Sequence, residues 1–516
     1  MIEKRTILNE EIKAMTESMV TINESLLDEA LGKLESARTW SPRVISKLES
    51  FIRTAEDYDL FRVNSIQYAT EKGMAESEAI DLFLHSTKLG LFEMEWHLVC
   101  PGCGHVVESL RNMHKLHSVF VCNQCAFEAK VSLDDYIQVA FTISRSVREI
   151  SFHHPESLSA EDLFFKYNLA RGALSWIVGM KQEDALRAVT QLVTYLEPGA
   201  KRSIDFSTEP GAVLISRLNE NSVTGFLVGP EQASAPQSMS AQFVDGSLNV
   251  LNREVTRAGR LDFGYAGMTF DQLGSLLTGS VTVDLENRFE RRICFWLAML
   301  PGQPSRIGVG FDPFLSGKRL ITTQTFRNLF RSETVSEAEG IGVKDITFLF
   351  TDLKGSTALY DQIGDPKAYY LVRQHFDTLG NVINRYEGAT VKTIGDAVMA
   401  TFMTPLDAVR ASLEMLQDIA AFNRNITDKL ILKIGIHVGH SIVVSLNDRI
   451  DYFGQTVNIA ARVQALADSD EIYMSEDVYN FPGVREAIAH RDIVSEQASV
   501  KGVSGKLQVY KISSNK

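Results

Sequence analysis

Phe348-Leu349-Phe350-Thr351-Asp352-Leu353-Lys354-Gly355-Ser356-Thr357 is the stretch whose reading decides the fold. The apolar run 346–350 is long enough for one buried strand. An aspartate stands where that strand ends, and a glycine, a serine and a threonine lead into a helical pattern. Glycine lets the backbone approach a ligand closely, and free N–H groups at a helix start favour phosphate. A carboxylate is the hard oxygen ligand that magnesium prefers. The strand end is therefore expected to be able to hold a metal-bound triphosphate. Strand, aspartate and helix cap also occur together in proteins with no chemistry at that point.

Working outward, residues 389–402 read Ala-Thr-Val-Lys-Thr-Ile-Gly-Asp-Ala-Val-Met-Ala-Thr-Phe. Two β-like runs flank Gly395-Asp396, a hairpin signal. The predicted order is strand, helix over 357–386, hairpin, helix over 405–422, strand over 431–438. That is the start of a ferredoxin-like βαββαβ unit. In this topology the first strand lies antiparallel beside the second strand of the hairpin. Asp352 and Asp396 are then expected to meet. Two carboxylates so placed suit a pair of metal ions about 3.5–4 Å apart, which clamp both oxygens of a phosphoryl displacement. A third stretch, Asp451-Tyr452-Phe453-Gly454-Gln455-Thr456-Val457-Asn458, leads into Ile459-Ala460-Ala461-Arg462. Asn458 and Arg462 are four apart, so a helix puts them on one face. Such a pair suits an anionic, phosphorane-like transition state.

With these three motifs in this order, residues 343–512 resemble a class III nucleotidyl cyclase catalytic domain. The resemblance implies that Asp352 and Asp396, with the Leu353 carbonyl, hold two magnesium or manganese ions per site. It implies that Lys392 reads the adenine ring and that Asp451 accepts from its amino group. Asn458 then orients the ribose, and Arg462 meets charge on the α-phosphate. Amides around Gly355, Ser356 and Thr357 bind phosphate oxygens. Lys501, in a stretch whose spacing departs from the usual one, corresponds to a lysine that contacts the triphosphate. The implied activity is adenylate cyclase: ATP to 3′,5′-cyclic AMP and pyrophosphate, for signal transduction. In this family the metal aspartates and the base-reading residues of one site come from different subunits. Both sets occur here, which implies a homodimer with two composite sites. Guanine-reading relatives usually carry Glu and Cys where this chain has Lys392 and Asp451. The alternatives are a guanylate cyclase and a catalytically silent cyclase fold used for dimerisation. A polymerase-like palm also places two aspartates on such a sheet, but has no need of the other four residues.

The whole chain agrees with a multidomain α+β protein. It has 516 residues, 45% hydrophobic and 23% charged, an ordinary globular composition. A net charge of −13 argues against nucleic acid or an anionic membrane as partner. The longest apolar runs, such as 293–300, fall short of the roughly 18 residues that span a bilayer. The amino terminus has no signal-peptide pattern, so a cytoplasmic protein with no membrane partner is expected.

Residues 1–95 form a first, helical unit, with a glycine turn at Gly73 between two helices. A helix-turn-helix or winged-helix-like module has this pattern, but the acidic second helix (Glu76, Glu78, Asp81) favours a plain scaffold. Over 96–134, Cys100-x-x-Cys103 and Cys122-x-x-Cys125, eighteen residues apart, read as a zinc ribbon. Four thiolates close the tetrahedron, so this zinc is expected to be structural; a redox switch is the alternative. His105 and His117 nearby are expected at the surface, and Cys294 is expected to be a buried small hydrophobe. Residues 135–318 read as a β-rich or α+β regulatory domain whose ligand or protein partner the residues do not name. Its β-like runs are at 211–215, 222–228, 247–251, 280–285 and 292–300, after a helix near 160–190. Over 319–342 a coupling helix, with Phe326, Leu329 and Phe330 on one face, runs into an acidic linker before the catalytic domain at 343–516.

Overall fold

The computed structural model describes residues 21–513 apart from 123, 126, 176–178, 219–221, 245–246, 257–258, 264–265, 271, 303–308, 337–339 and 500–504. The chain forms two compact units. One takes residues up to 111 with 119–129 and 138–314; the other takes 112–118, 130–137 and 315–516.

The first unit opens on four helices, Glu24–Ala37, Val44–Thr54, Ser65–Lys72 and Glu76–Lys88. Gly73 ends the third in the left-handed conformation, which a side chain would resist. The helices are followed by a three-stranded sheet, with Phe92–Val99 between Val106–Leu110 and Ile137–Ile143. The later part is β-rich. Its sheet is ordered Ser247–Val250, Gln237–Val244, Gln272–Asn287, Ser222–Gln232, Gly211–Arg217, Ile293–Pro301, Thr190–Leu196. Gln272–Asn287 is the spine: it pairs in parallel with two strands and antiparallel with Lys201–Thr208. Phe226, Met239, Phe243, Val283 and Phe295 form its core, and Cys294 is fully buried. The expected helix near 160–190 is instead a π-helical turn at Asp162–Tyr167, a strand at Ala173–Ser175 and a helix at Gln182–Val189. Gly172, at φ +71, lies between the turn and the strand and breaks the helical path.

In the second unit, two short helices, α1 (Gly317–Ile321) and α2 (Gln324–Leu329), precede the strand β1 (Ile341–Leu353). Then come α3 (Ser356–Ile363), α4 (Asp365–Arg385), β2 (Ala389–Ile394), β3 (Ala397–Phe402) and α5 (Pro405–Phe422). The remainder is β4 (Leu432–Leu446), β5 (Arg449–Phe453), α6 (Gln455–Gln464), β6 (Glu471–Ser475), β7 (Ile493–Ser499) and β8 (Lys506–Ser513). The sheet order is β2-β3-β1-β4-β6-β8-β7, with β5 hairpinned onto the far end of β4. β1 is antiparallel to both β3 and β4, as the βαββαβ reading requires.

Two expectations need correction. The single helix over 357–386 is two, because Gly364 takes φ +80 and Pro366 sits in the first turn of α4. The strand over 431–438 runs on to Leu446, because Asn447 and Asp448 both adopt positive φ and turn the chain back to pair β5 with residues 442–446.

The two faces of this sheet are distinct. Leu349, Leu353, Val398, Ala400, Phe402, Ile434 and Ile436 point into one core, shared with Leu379, Val382 and Ile383 of α4 and Ala411, Met415 and Ile419 of α5. Alternation along each strand sends their neighbours to the opposite face. There α6 lies so close over β4 that a Cβ on Gly435 would stand 2.1 Å from the Gln464 amide nitrogen.

Candidate active site

Asp352 is the penultimate residue of β1, and Asp396 sits in the two-residue turn between β2 and β3. Thr351 pairs with Val398, so the strand end and the hairpin tip are adjacent, as the topology predicted. The Leu353 amide donates to Asp396 Oδ2 at 3.2 Å, which ties the tip to the strand end. Asp352 lies on the face opposite α4 and α5, with Phe348 and Phe350 behind it. Lys433, paired with Asp352 in the β1–β4 register, brings its Nζ within 3.5 Å of Asp352 Oδ2. The carboxylate thus already holds one cation, and hard oxygens here fit a divalent ion. Next to the tip, His375 of α4 is fully buried. Burial holds its imidazole down to about 4, with the Asp396 carboxylate pulling the other way.

Lys392 and Asp451 form an ion pair. Asp451 is 5% exposed, and its Oδ1 also accepts from the Tyr452 amide at 2.8 Å. Lys392 reaches this face because β2 carries a bulge: Thr390 pairs with Ala400 but Lys392 pairs with Met399, leaving Val391 as an extra residue. Met399 is opposite Phe350, so Lys392 is level with Phe350 and Asp352 lies two residues, roughly 7 Å, further along. Both carboxylate groups and the lysine therefore share one face. On α6, Asn458 is exposed and Arg462 is half-buried. Gly355, at φ +72, precedes the first turn of α3, which Ser356 and Thr357 open. Lys354 is held by Asp468 at 2.6 Å and Ser469 at 2.9 Å. Lys501 lies outside the described residues.

The first unit brings the four cysteines together. Cys100 and Cys125 Sγ are 3.6 Å apart, and Cys103 and Cys122 Sγ are 3.7 Å apart. All four sulfurs lie within 4.8 Å of one another. The amides of Gly102 and Gln124 donate to Cys100 and Cys122 Sγ. An edge of about 3.8 Å is what a tetrahedron with ~2.3 Å zinc–sulfur bonds requires, so the donor set fits zinc. The neighbouring thiols, that of Cys100 foremost, drive Cys122 strongly towards thiolate. His105, expected at the surface, is buried, since its backbone pairs with Leu169; His117 is exposed as expected.

Lys433 escaped sequence reasoning. Its only signal was a cation at the entry to a strand, and it became a site residue once the β1–β4 register placed it opposite Asp352.

The fold and this residue set define a cyclase catalytic domain of class III. Residues 340–514 match the family described as Adenylate and Guanylate cyclase catalytic domain. Residues 28–328, more than half of the chain, match a Family of unknown function (DUF5939), and the chain belongs to that family. Among curated relatives, an adenylate cyclase of Lachancea kluyveri is 27% identical over 41% of this chain and 12% of its own length. An adenylate cyclase of Anabaena cylindrica is 25% identical over 39% of this chain and 42% of its own. Guanylate cyclase 32E of Drosophila melanogaster is 28% identical over 26% of this chain and 13% of its own. The chain thus matches less than half the length of each of these relatives. Of solved structures, the adenylyl cyclase CyaB from P. aeruginosa aligns at 23% identity with a TM-score of 0.31, covering 34% of this chain and 97% of that one. Among the described residues, no helix is long and apolar enough to cross a membrane.

Proposed function

We propose that the protein is an adenylate cyclase, which converts ATP to 3′,5′-cyclic AMP and pyrophosphate. The observation that carries this reading is the Lys392–Asp451 ion pair, with Asp451 almost fully buried. The pair offers a donor and an acceptor, which suit the ring nitrogen and the exocyclic amine of adenine. Guanine presents a carbonyl oxygen where adenine has its amine, and Asp451 would repel it.

Asp352 and Asp396, with the Leu353 carbonyl, would hold two divalent cations. These, when bound, supply the charge that acidifies the ribose 3′-hydroxyl and neutralises the triphosphate. The chain's own residues do the rest. Amides at the start of α3, around Gly355, Ser356 and Thr357, bind phosphate oxygens. Lys433, within 3.5 Å of Asp352 Oδ2, would add positive charge beside the triphosphate. Asn458 orients the ribose, so that its 3′-oxygen, whose proton would pass to a phosphate oxygen of the substrate, faces the α-phosphorus on the side opposite the leaving pyrophosphate. Arg462 meets the charge that develops as that bond forms and the bond to pyrophosphate breaks.

The sites are composite and the protein is a homodimer. The β4–β5 arm carries exposed Ile442, Leu446 and Phe453, the last 64% exposed, an apolar patch that a second copy would cover. The cysteine cluster holds one structural zinc, and the first unit responds to a regulator. The protein works in the cytoplasm. Purified protein supplied with magnesium or manganese is expected to make cyclic AMP from ATP in preference to cyclic GMP from GTP. Asp396→Ala is expected to lower that rate by at least about 10²-fold. Cyclic GMP as the main product would overturn the choice of substrate, and no product from either nucleotide would overturn the activity.

A further inference from the structure

The short helix α2 lies outside the match to the cyclase catalytic domain, yet its side chains bond to both strands that carry the Lys392–Asp451 pair. Each of the three guanidinium nitrogens of Arg327 donates to an acceptor. Its Nε donates to the Ile321 carbonyl at 2.8 Å, its Nη1 to the Ile450 carbonyl at 3.1 Å and its Nη2 to the Tyr452 hydroxyl at 3.3 Å. The Ile450 carbonyl belongs to the peptide that joins Ile450 to Asp451. The guanidinium also stacks 5.5 Å from the centre of the Tyr452 ring, and that ring packs edge-on against Phe348 of β1. Asp451 is thus bracketed by two residues that Arg327 grips.

Gln324, one turn earlier, does the equivalent for Lys392. Its Oε1 accepts from the Thr390 amide at 2.8 Å. Thr390 is where the bulge in β2 begins, and β2 is an edge strand. Were Val391 paired regularly with Met399 instead of bulged, Lys392 would fall opposite Val398 and point into the core of α4 and α5, since a slip of one residue exchanges the faces. The outward N–H of an edge strand has no ladder partner; here Gln324 supplies one at the position that decides which way Lys392 points. Phe326, fully buried between these two residues and stacked on Phe330, anchors the helix.

We propose that α2 is a strap that sets purine selectivity, with Gln324 and Arg327 as positioning residues for Lys392 and Asp451. This rests on the adenine-reading role proposed above. The two residues touch no substrate. They act by holding a bulge and a peptide plane, so their loss is felt in recognition of the base and not in the metal-dependent chemistry.

The test is calorimetric titration of the full-length protein with 3′-deoxy-ATP and 3′-deoxy-GTP in magnesium, since neither analogue can cyclise. Wild type is expected to prefer the adenine analogue. Arg327→Met and Gln324→Leu are each expected to weaken 3′-deoxy-ATP about tenfold, the scale of one well-placed hydrogen bond to a charged or backbone partner, and to leave 3′-deoxy-GTP unchanged. Gln324→Glu keeps an acceptor oxygen and is expected to bind as wild type does. Adding Arg327→Met to Asp451→Ala, or Gln324→Leu to Lys392→Ala, is expected to cost nothing more, because each acts through the residue it positions. Equal weakening of both analogues would reduce the strap to general support and overturn the proposal. An unchanged ratio in both Arg327→Met and Gln324→Leu would overturn it too. A wild type that binds the adenine analogue selectively but makes no cyclic AMP from ATP would sink the cyclisation reading and leave the strap standing. A wild type that binds neither analogue would overturn both.

Discussion

Lys392 owes its place to Val391, the one residue that β2 has in excess of β3. Single residues decide other features at this scale. Asp352 is kept near a cation by Lys433 even before any metal arrives. His437 of β4 is 7% exposed and hydrogen-bonds the Ser475 hydroxyl through Nδ1 at 2.8 Å. Burial holds its imidazole down to about 4, with Asp477 pulling the other way. An unfolded histidine titrates near 6.5. Below that pH the unfolded state therefore binds a proton that folded His437 refuses. The stability from its neutral burial is complete above about pH 6.5 and is lost as pH falls towards 4, at most about 3 kcal/mol. The thermal midpoint is expected to fall over this window in wild type and less steeply in His437→Gln. Parallel curves would show that His437 contributes no such term.

At the scale of elements, the helix α6 is seated tightly on its sheet. Gly435 leaves no room for a side chain between β4 and the backbone of α6 at Gln464. The same helix carries Asn458 and Arg462, so its height above the sheet sets where they stand. Gly435→Ala is expected to lift α6, destabilise the protein by about 3 kcal/mol or more, and lower kcat with little change in KM for ATP. The measurements are a denaturant titration and steady-state kinetics on the same preparation. Full activity with unaltered stability would mean that α6 can shift without cost.

For the whole molecule, two sites far apart in sequence make separate demands. The cysteine tetrahedron draws its ligands from two loops of the first unit, around Cys100 and Cys122. One zinc per chain is expected by elemental analysis. A strong chelator is expected to remove it and lower the first thermal transition, whereas Cys122→Ser is expected to do so without chelator. A chain that keeps its midpoint when metal-free would refute a structural role. The catalytic unit carries both halves of the proposed site, which predicts complementation between chains. Mixing Asp396→Ala with Arg462→Ala is expected to restore activity through one intact site per heterodimer. No recovery in a verified heterodimer would refute composite sites.

Much of the catalytic unit was legible in the sequence because its signals are local. An apolar run over 346–350 with Asp352 just beyond it, a Gly-Asp turn between β-runs and an Asn458/Arg462 helical spacing each lie within a few residues, so the βαββαβ order and the adjacency of the β1 end and the Asp396 turn followed from pattern and topology. The four cysteines were equally plain, since metal ligands recur at fixed short spacings. The rest depended on register, which is a matter of hydrogen bonds between segments distant in sequence. Only the folded sheet set Lys433 opposite Asp352, opened a bulge at Val391, carried β4 on to Leu446 and laid Gln324 and Arg327 against the strands of Lys392 and Asp451. Residue types determine which local conformations are cheap. Which side chains finally meet is decided when strands choose their partners, and a shift of one residue exchanges one face for the other.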